Sequence, residues 1–227
     1  MTRAVPVLIA AALVGALAGC GPGGGAAGGG TDGTARAGAA GGTSAAPARP
    51  GALPVLPSVD RGDAGAAETA MRELIRVAAA AAKGVPDDDR SPSVTVVDHG
   101  ACRIYPVAGA CPPTTPDQPV PIEIDAVQAW RTYTEREADG RDGNAAWQDE
   151  VLAAYVNYLM LRESQRTAPA LLTSNDDADV PKLKKLQHCK QGNVVGPLRP
   201  VMSAALWHYF AALEADPDFR AGAEGRC

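Results

Sequence analysis

The chain has 227 residues, of which 46% are apolar and only 4% are aromatic, so its composition allows a packed core. Its 21 basic and 26 acidic residues give a formal net charge of −5. This balance argues against nucleic acid as the main partner, because binding to phosphates needs a basic face, and it argues equally against a polybasic membrane-binding surface.

The first residues have the pattern of a leader for secretion. Arg3 provides a short positive start, and an apolar segment follows from Ala4 to Ala16. A helix that spans a membrane needs about 20 apolar residues, so this segment predicts a cleaved secretory signal rather than a transmembrane anchor. The alternative is an ordinary secretory signal that is cut at another position. In that case the cysteine that follows the apolar segment, Cys20, would be an incidental thiol.

The apolar segment is followed by Leu17-Ala18-Gly19-Cys20, which resembles the lipobox of bacterial lipoproteins. In that family a diacylglyceryl group is attached to the cysteine thiol, and a dedicated peptidase cuts just before it. The resemblance covers residues 1–20 only. It implies a signal peptide over residues 1–19, lipidation of Cys20 and anchoring at the outer leaflet of the cytoplasmic membrane. Two acyl chains are enough for stable anchoring.

A flexible tether is predicted over residues 20–57. The stretch from Gly21 to Pro57 contains 12 of the 25 glycines and 5 of the 19 prolines of the chain. Such a segment buries too little apolar surface to offset the entropy lost on ordering. We therefore expect a single extracytoplasmic domain from Ser58 to Cys227.

The first part of this domain predicts one helix and a small β-hairpin. The helix covers Ala64–Lys83, with Asp63 as its cap. Its apolar residues recur at helical spacing: Met71, Leu74, Ile75, Ala78 and Ala82. The β-branched segment Ser93–Val97 is expected to pair with Cys102–Val107 across a turn.

The rest of the domain predicts further helices. Asp125 caps a helix that carries Val127, Trp130 and Tyr133, and a long helix covers Asn144–Arg166. A short basic helix runs from Asp179 to Gln191, and a last main helix runs from Pro200 to about Glu214. The fold class is therefore mainly α, a bundle of four to five helices with a small β-hairpin.

Four cysteines lie in the domain, and an extracytoplasmic location predicts that they form disulfides. Of the three possible pairings, locality favours Cys102–Cys111 and Cys189–Cys227, which would staple the helical bundle. The alternative is a zinc or copper site that combines these thiols with His188. Because neither Cys-x-x-Cys nor His-x-x-x-His occurs, we predict no metal and no cofactor.

The three histidines give little support to nucleophilic catalysis. No Gly-x-Ser-x-Gly motif occurs, and Ser203 and His208 are about 140° apart on a helix. His208 lies between two aromatic residues and is expected in the core or at its edge. His99 is expected to be exposed in a turn. We therefore predict no catalytic residue.

Carboxylates offer a second route to catalysis, through an acid and base pair of the glycosidase kind. We prefer a solvated surface with salt bridges, because no two of the candidate carboxylates have a sequence spacing that is specific to such a pair. The acidic stretches Asp87–Asp89 and Asp176–Asp179 suit helix capping better than calcium binding, since neither matches a calcium-loop pattern. The candidate acids are Glu123, Asp125, Glu135, Asp149, Glu150 and Glu163.

Two further groups of residues are candidate binding surfaces. A basic patch would contact anionic lipid or wall polymers, although a solvated helix face is the plainer explanation that we prefer. Three tryptophans would form a sugar-binding platform, although each lies where a core residue is expected. The patch is Lys182, Lys184, Lys185 and Lys190, and the tryptophans are Trp130, Trp147 and Trp207.

Taken together, the sequence predicts a membrane-anchored extracytoplasmic lipoprotein whose domain has a non-catalytic binding or scaffolding role at the cell envelope. It contacts the membrane through the lipid on Cys20, and its partner is an envelope protein or a wall polymer. The alternatives are a hydrolase of wall polymers whose carboxylates meet in the fold, and capture of a small ligand or metal.

Overall fold

A computed structural model describes residues 53–54, 63–98, 102 and 106–227, and the predicted mainly helical fold is confirmed within them. The described residues form eight α-helices. They are Ala64–Ala81 (α1), Asp87–Arg90 (α2), Ala126–Ala138 (α3), Gly143–Thr167 (α4), Pro169–Leu172 (α5), Val180–Leu198 (α6), Ala204–Ala212 (α7) and Pro217–Ala223 (α8). Short 3-10 turns cover Asp177–Asp179, Arg199–Val201 and Leu213–Ala215.

Helix α4 is the centre of the fold. The predicted apolar residues Trp147 and Tyr155 are fully buried, and so are Leu152 and Val156 on other sides of the same helix. A helix that is apolar all round has to be covered on every side. Helices α1, α3 and α6 and the sheet provide that cover.

Helix α1 begins where the sequence predicts. The Asp63 carboxylate accepts a hydrogen bond from the Ala66 N–H at 3.1 Å, which satisfies a donor that the first turn leaves free. The five residues predicted at helical spacing, from Met71 to Ala82, are all buried. This face packs against α3 and α4.

Two residues that we assigned to the tether contact the domain. Leu53 belongs to the core, with only 8% of its surface exposed. The Pro54 carbonyl accepts a hydrogen bond from Gln148 Nε2 on α4 at 2.7 Å. Ser58, the predicted boundary of the domain, lies outside the described residues. Because Leu53 and Pro54 contact the domain, the packed part of the chain includes residues on both sides of that boundary.

Helix α3 packs through small residues. Asp125 caps it by accepting from the Gln128 N–H at 2.8 Å, as predicted. Ala126 and Ala129 face the core, whereas Val127 is 52% exposed. The short side chains let α3 approach α1 and α4 closely.

The sheet differs from the expected hairpin. Its strands are Val94–Val96 (β1), Ala108–Ala110 (β2) and Ile122–Ile124 (β3), in the order β1-β3-β2. Strand β3 is parallel to β1 and antiparallel to β2, so the first two strands do not pair with each other. The returning strand starts at Ala108 rather than within Cys102–Val107, of which residues 103–105 lie outside the described part.

The central position of β3 has a physical reason. Ile122 and Ile124 are fully buried, and they are the largest apolar side chains that alternate along any of the three strands. Alternation of this kind places one face of a strand in the core. The strand that contributes most to the core therefore lies in the middle of the sheet.

The C-terminal elements have different limits from those predicted. Helix α6 continues past Gln191 to Leu198. Helix α7 begins after Ser203, whose hydroxyl accepts from the Leu206 N–H at 2.9 Å, and Pro200 lies in the 3-10 turn before it. The segment after the predicted last main helix contains a further helix, α8.

Two disulfides connect these elements. Cys102 is bonded to Cys111, with Cα atoms 4.8 Å apart, and Cys189 to Cys227, with Cα atoms 5.7 Å apart. This is the pairing that locality favours. The first bond joins the two ends of the segment that contains β2, and the second joins α6 to the last residue.

Candidate functional site

The C-terminal part of α4 carries a charged network that reaches three other parts of the chain. Arg162 donates to the Asp89 carboxylate on α2 at 2.7 Å. Glu163 lies 3.3 Å from Lys190 Nζ on α6. Gln165 donates to the backbone carbonyls of residues 116 and 118, at 2.5 and 2.8 Å. The network therefore fastens α4 to α2, α6 and the connection before β3.

The Glu163–Lys190 pair is the most enclosed part of this network. The exposed fraction of the side chain is 15% for Glu163 and 6% for Lys190. Burial alone raises the pKa of Glu163, but the hydrogen bond from Arg166 and the charge of Lys190 outweigh burial and hold this pKa below its usual value. The carboxylate therefore stays ionised and can neutralise the buried ammonium.

A small cavity of about 50 Å³ opens beside the network. Such a volume has room for a few water molecules. Its walls include the polar side chains of Asp89, Glu163 and Arg166, which can hydrogen-bond to such water. The lining residues are Gly84, Val85, Pro86, Asp89, Leu159, Glu163, Arg166, Asn193 and Val194.

Glu150 lies near the other end of α4 and faces the sheet. Its carboxylate accepts a hydrogen bond from the Val107 N–H at 3.0 Å. Burial raises the pKa of Glu150 to about 7, although that hydrogen bond and the charge of Arg136 act in the opposite direction. A carboxyl group that titrates near neutral pH can act as an acid or a base, and it also makes stability depend on pH.

A Glu150→Gln substitution is expected to change that pH dependence. Between pH 4.5 and 7 the Glu150 carboxyl keeps its proton in the folded chain. It loses that proton in the unfolded chain, where its pKa has the usual value near 4.5. Glu150 therefore lowers the free energy of unfolding as the pH rises from 4.5 to 7, by about 3 kcal/mol, and not further above pH 7.

The glutamine variant should lack this decrease, while its side-chain oxygen still accepts from Val107. Urea unfolding at several pH values measures the difference. The advantage of the variant over the wild type is expected to grow across this pH range and then become constant. A difference that does not vary with pH would show that Glu150 is hydrated in the folded chain.

Three other candidate carboxylates have structural roles or are exposed. Asp149 accepts from the hydroxyl of Ser203, the cap of α7, so adjacent Asp149 and Glu150 have different partners. Asp125 caps α3, and Glu135 lies exposed on the same helix. We identify no acid and base pair facing a cleft among the six candidates in the described chain.

The two acidic stretches contain caps and ion pairs. Asp87 pairs with Arg90, and Asp89 pairs with Arg162. In the second stretch, Asp176 accepts from the Ala178 N–H at 2.9 Å. Asp179 in that stretch accepts from Lys182 and from Ser174, both at 2.8 Å. Asp176 therefore caps a 3-10 turn as predicted, whereas the first stretch makes ion pairs and gives its helix no side-chain cap.

The predicted basic patch is not one surface. Lys190 is buried, because it shares the core face of α6 with Leu183 and Val194. Lys182 and Lys185 are exposed, and each lies near a carboxylate, that of Asp179 at 2.8 Å and that of Asp218 at 3.8 Å. Lys184 is also exposed. The four lysines are close together in the sequence, but the helix places one of them, Lys190, in the core.

The histidines do not share a site. His188 Nδ1 lies 2.8 Å from a carboxylate oxygen of Asp216, which also caps α8. His208 is exposed, so its predicted place in the core or at its edge is wrong. Its side chain lies opposite the buried residues Leu206 and Phe210 of α7. His99 lies outside the described residues.

The tryptophans do not form a platform. Trp147 is fully buried in α4. Trp130 stacks on Tyr133 on α3, with ring centroids 5.2 Å apart. Trp207 on α7 lies 4.4 Å from the guanidinium of Arg199. The three rings therefore make separate contacts in different parts of the fold.

Comparisons with known proteins give no relative: no protein-family model, curated protein or solved structure matches the chain. In the described part of the chain, no helix has both the length and the apolar character needed to cross a membrane. Cys20 and the apolar segment before it lie outside the described residues.

Proposed function

We propose that the protein is a lipid-anchored extracytoplasmic lipoprotein whose helical domain binds a partner at the cell envelope and catalyses no reaction. The observation that carries the proposal is the use of the five cysteines. Four of them are paired as two disulfides. The fifth, Cys20, is the one that occupies the lipobox-like sequence.

Cysteine chemistry supports this location. Disulfides persist in oxidising compartments outside the cytoplasm, and they are rare inside it. A leftover thiol in such a compartment invites intermolecular pairing. Alkylation of Cys20 by a lipid removes that thiol and provides the anchor.

The binding role is supported by the places of the ionisable residues. Asp89, Asp149, Glu163 and Lys190 each hold two elements of the fold together. The cavity beside the charged network has room for a few ordered water molecules. A tethered helical domain with these features is suited to contact an envelope protein or a wall polymer through its outer surface.

Lipidation can be tested in a bacterial host that processes lipoproteins. The full chain is expressed beside a Cys20→Ala variant, and both are labelled with an alkyne analogue of palmitate. The wild type is expected to carry the label and to remain with the membrane fraction, whereas the variant should lack both properties. Equal labelling of the two chains, or a mature N-terminus at another residue, would contradict the anchor.

The binding role needs a separate measurement. A tag inserted near Thr43 allows crosslinking and recovery from intact membranes, with the Cys20→Ala chain as the control. We expect one envelope protein or wall fragment at near-stoichiometric yield. Recovery of nothing above the control would contradict the binding role and leave the lipid anchor unaffected.

A further inference from the structure

The outer face of the small sheet carries a carboxylate next to a disulfide. Ile122 and Ile124 face the core, so Glu123 between them points to the opposite face. Gly109 is the direct partner of Glu123 on β2. Cys111 follows β2 and continues the ladder by donating its N–H to the Pro121 carbonyl at 3.0 Å. The period of two residues therefore puts Gly109, Cys111 and Glu123 on one face.

These side chains form a compact cluster with Cys102. The two sulfur atoms and a carboxylate oxygen of Glu123 all lie within 4.8 Å of one another. Gly109 has no side chain to separate them. Among the described residues, no other set of three cysteine, histidine, aspartate or glutamate side chains is so close.

Glu123 also has an unsatisfied atom. Its Oε2 is buried, and no hydrogen-bond donor in the described chain contacts it. A buried carboxylate oxygen without a partner is unfavourable and calls for an explanation. In the reduced form, a cation bound by the two thiolates would satisfy it.

We propose that Cys102, Cys111 and Glu123 form a redox-gated site for a thiolate-binding divalent cation of the zinc type. The disulfide is the closed form of the site, and the dithiol is the form that binds. Two thiolates and one carboxylate are a ligand set that zinc accepts, and three protein ligands leave the fourth position of a tetrahedral ion open. The inference goes beyond the proposed envelope role: in an oxidising compartment the disulfide is the resting form, and a dithiol reductant has to open it.

A dithiol reductant supplies the electrons and protons that open the Cys102–Cys111 disulfide. The reductant transfers two electrons and two protons to the disulfide, becomes a cyclic disulfide itself and leaves two thiols on the protein. Binding of the cation then releases the two thiol protons, because thiolates are the ligands. Partial exposure of Cys102 gives the reductant and the ion access, while Cys111 is 8% exposed.

The test uses the full chain with Cys20→Ala in every sample, so that only the two cysteine pairs provide thiols. The chain is reduced with a phosphine and titrated with Co²⁺, whose thiolate complexes have a characteristic charge-transfer absorption, and Zn²⁺ is then added as a competitor. We expect one equivalent of Co²⁺ to bind to the reduced chain through thiolates, and no thiolate complex in the oxidised chain.

The second disulfide provides the matched control. A chain with Cys189→Ser and Cys227→Ser should keep the cobalt complex, and a chain with Cys102→Ser and Cys111→Ser should lose it. Glu123→Gln should weaken Co²⁺ binding at least about tenfold, as expected for a lost oxygen ligand. Glu123→Asp keeps the carboxylate and should retain more affinity than glutamine.

Several results would overturn the proposal. They are a reduced chain without the thiolate absorption, an absorption that persists after loss of Cys102 and Cys111, and a Glu123→Gln chain that binds as tightly as the wild type. Circular dichroism follows folding in each sample. Unfolding of the wild type on reduction would also overturn it, because the site needs the intact sheet. If the glutamine variant alone unfolds, Glu123→Ala takes its place, and Co²⁺ binding as tight as that of the wild type would exclude Glu123 as a ligand.

Discussion

A Gly222→Ala substitution is expected to lower the free energy of unfolding by more than about 3 kcal/mol. A Cβ atom at this position would overlap the Cys189 carbonyl oxygen and lie 2.7 Å from its carbon and 3.0 Å from the Asn193 nitrogen. These are backbone atoms of α6 and cannot rotate away. Gly192 on α6 has the same relation to the backbone of Phe219 on α8. The two helices therefore cross at a contact that only glycine permits.

Gly196→Ala is the matched control for this prediction. It lies on α6, and a Cβ atom there would meet nothing within 4 Å. Alanine is favoured over glycine in a helix by up to about 1 kcal/mol, whereas Pro197 disfavours a side chain on the helical residue before it, so this variant should change stability by less than about 1 kcal/mol. Urea unfolding of the full chain with its disulfides intact measures both variants. Similar changes in the two would contradict the close crossing of α6 and α8.

Local sequence patterns predict the first and central helices well. The cap at Asp63 and the apolar period of α1 are contained within the helix itself. The long apolar run of α4 likewise allows this helix to be predicted from its own residues. The sheet order could not be predicted in this way, because β1 and β3 pair across 28 positions of sequence, as Val94 with Ile122.

The start of α7 shows how a tertiary contact decides between two local signals. Pro200 fits a first helical turn, and Ser203 fits an N-cap. The Ser203 hydroxyl also donates to Asp149 on α4, so the fold fixes that residue as the cap. Asp149 is 54 residues away, and no pattern near Ser203 predicts the contact.

The charged network escaped prediction for the same reason. Charged residues at isolated positions are usually solvated, and we assigned Glu163 and Lys190 to exposed surfaces. Asp89 and Arg162 meet across 73 residues, and Lys190 and Glu163 meet across 27. The one local signal was the apolar spacing from Leu183 to Val194, which places Lys190 on the core face of α6.

Replacement of Glu163 with alanine is expected to lower the free energy of unfolding by about 3 to 5 kcal/mol. The reason is the ammonium of Lys190, whose side chain is only 6% exposed and would lose the carboxylate at 3.3 Å. Arg166, the other partner of Glu163, is 54% exposed and can be hydrated instead. Most of the loss should therefore come from the uncompensated charge of Lys190 rather than from the missing contacts of Glu163.

Two variants separate this explanation from a simple loss of packing. Glu163→Ala combined with Lys190→Met removes both charges and should recover the part of the lost stability that comes from the uncompensated ammonium. Glu73→Ala removes a carboxylate from the exposed pair with Arg76 and should change stability by less than about 0.5 kcal/mol. If urea unfolding shows the Glu163 and Glu73 variants to be equally stable, then Lys190 reaches water when its partner is absent. If the double variant is as unstable as the single one, the contribution of Glu163 comes from packing, and its charge is not what joins α4 to α6.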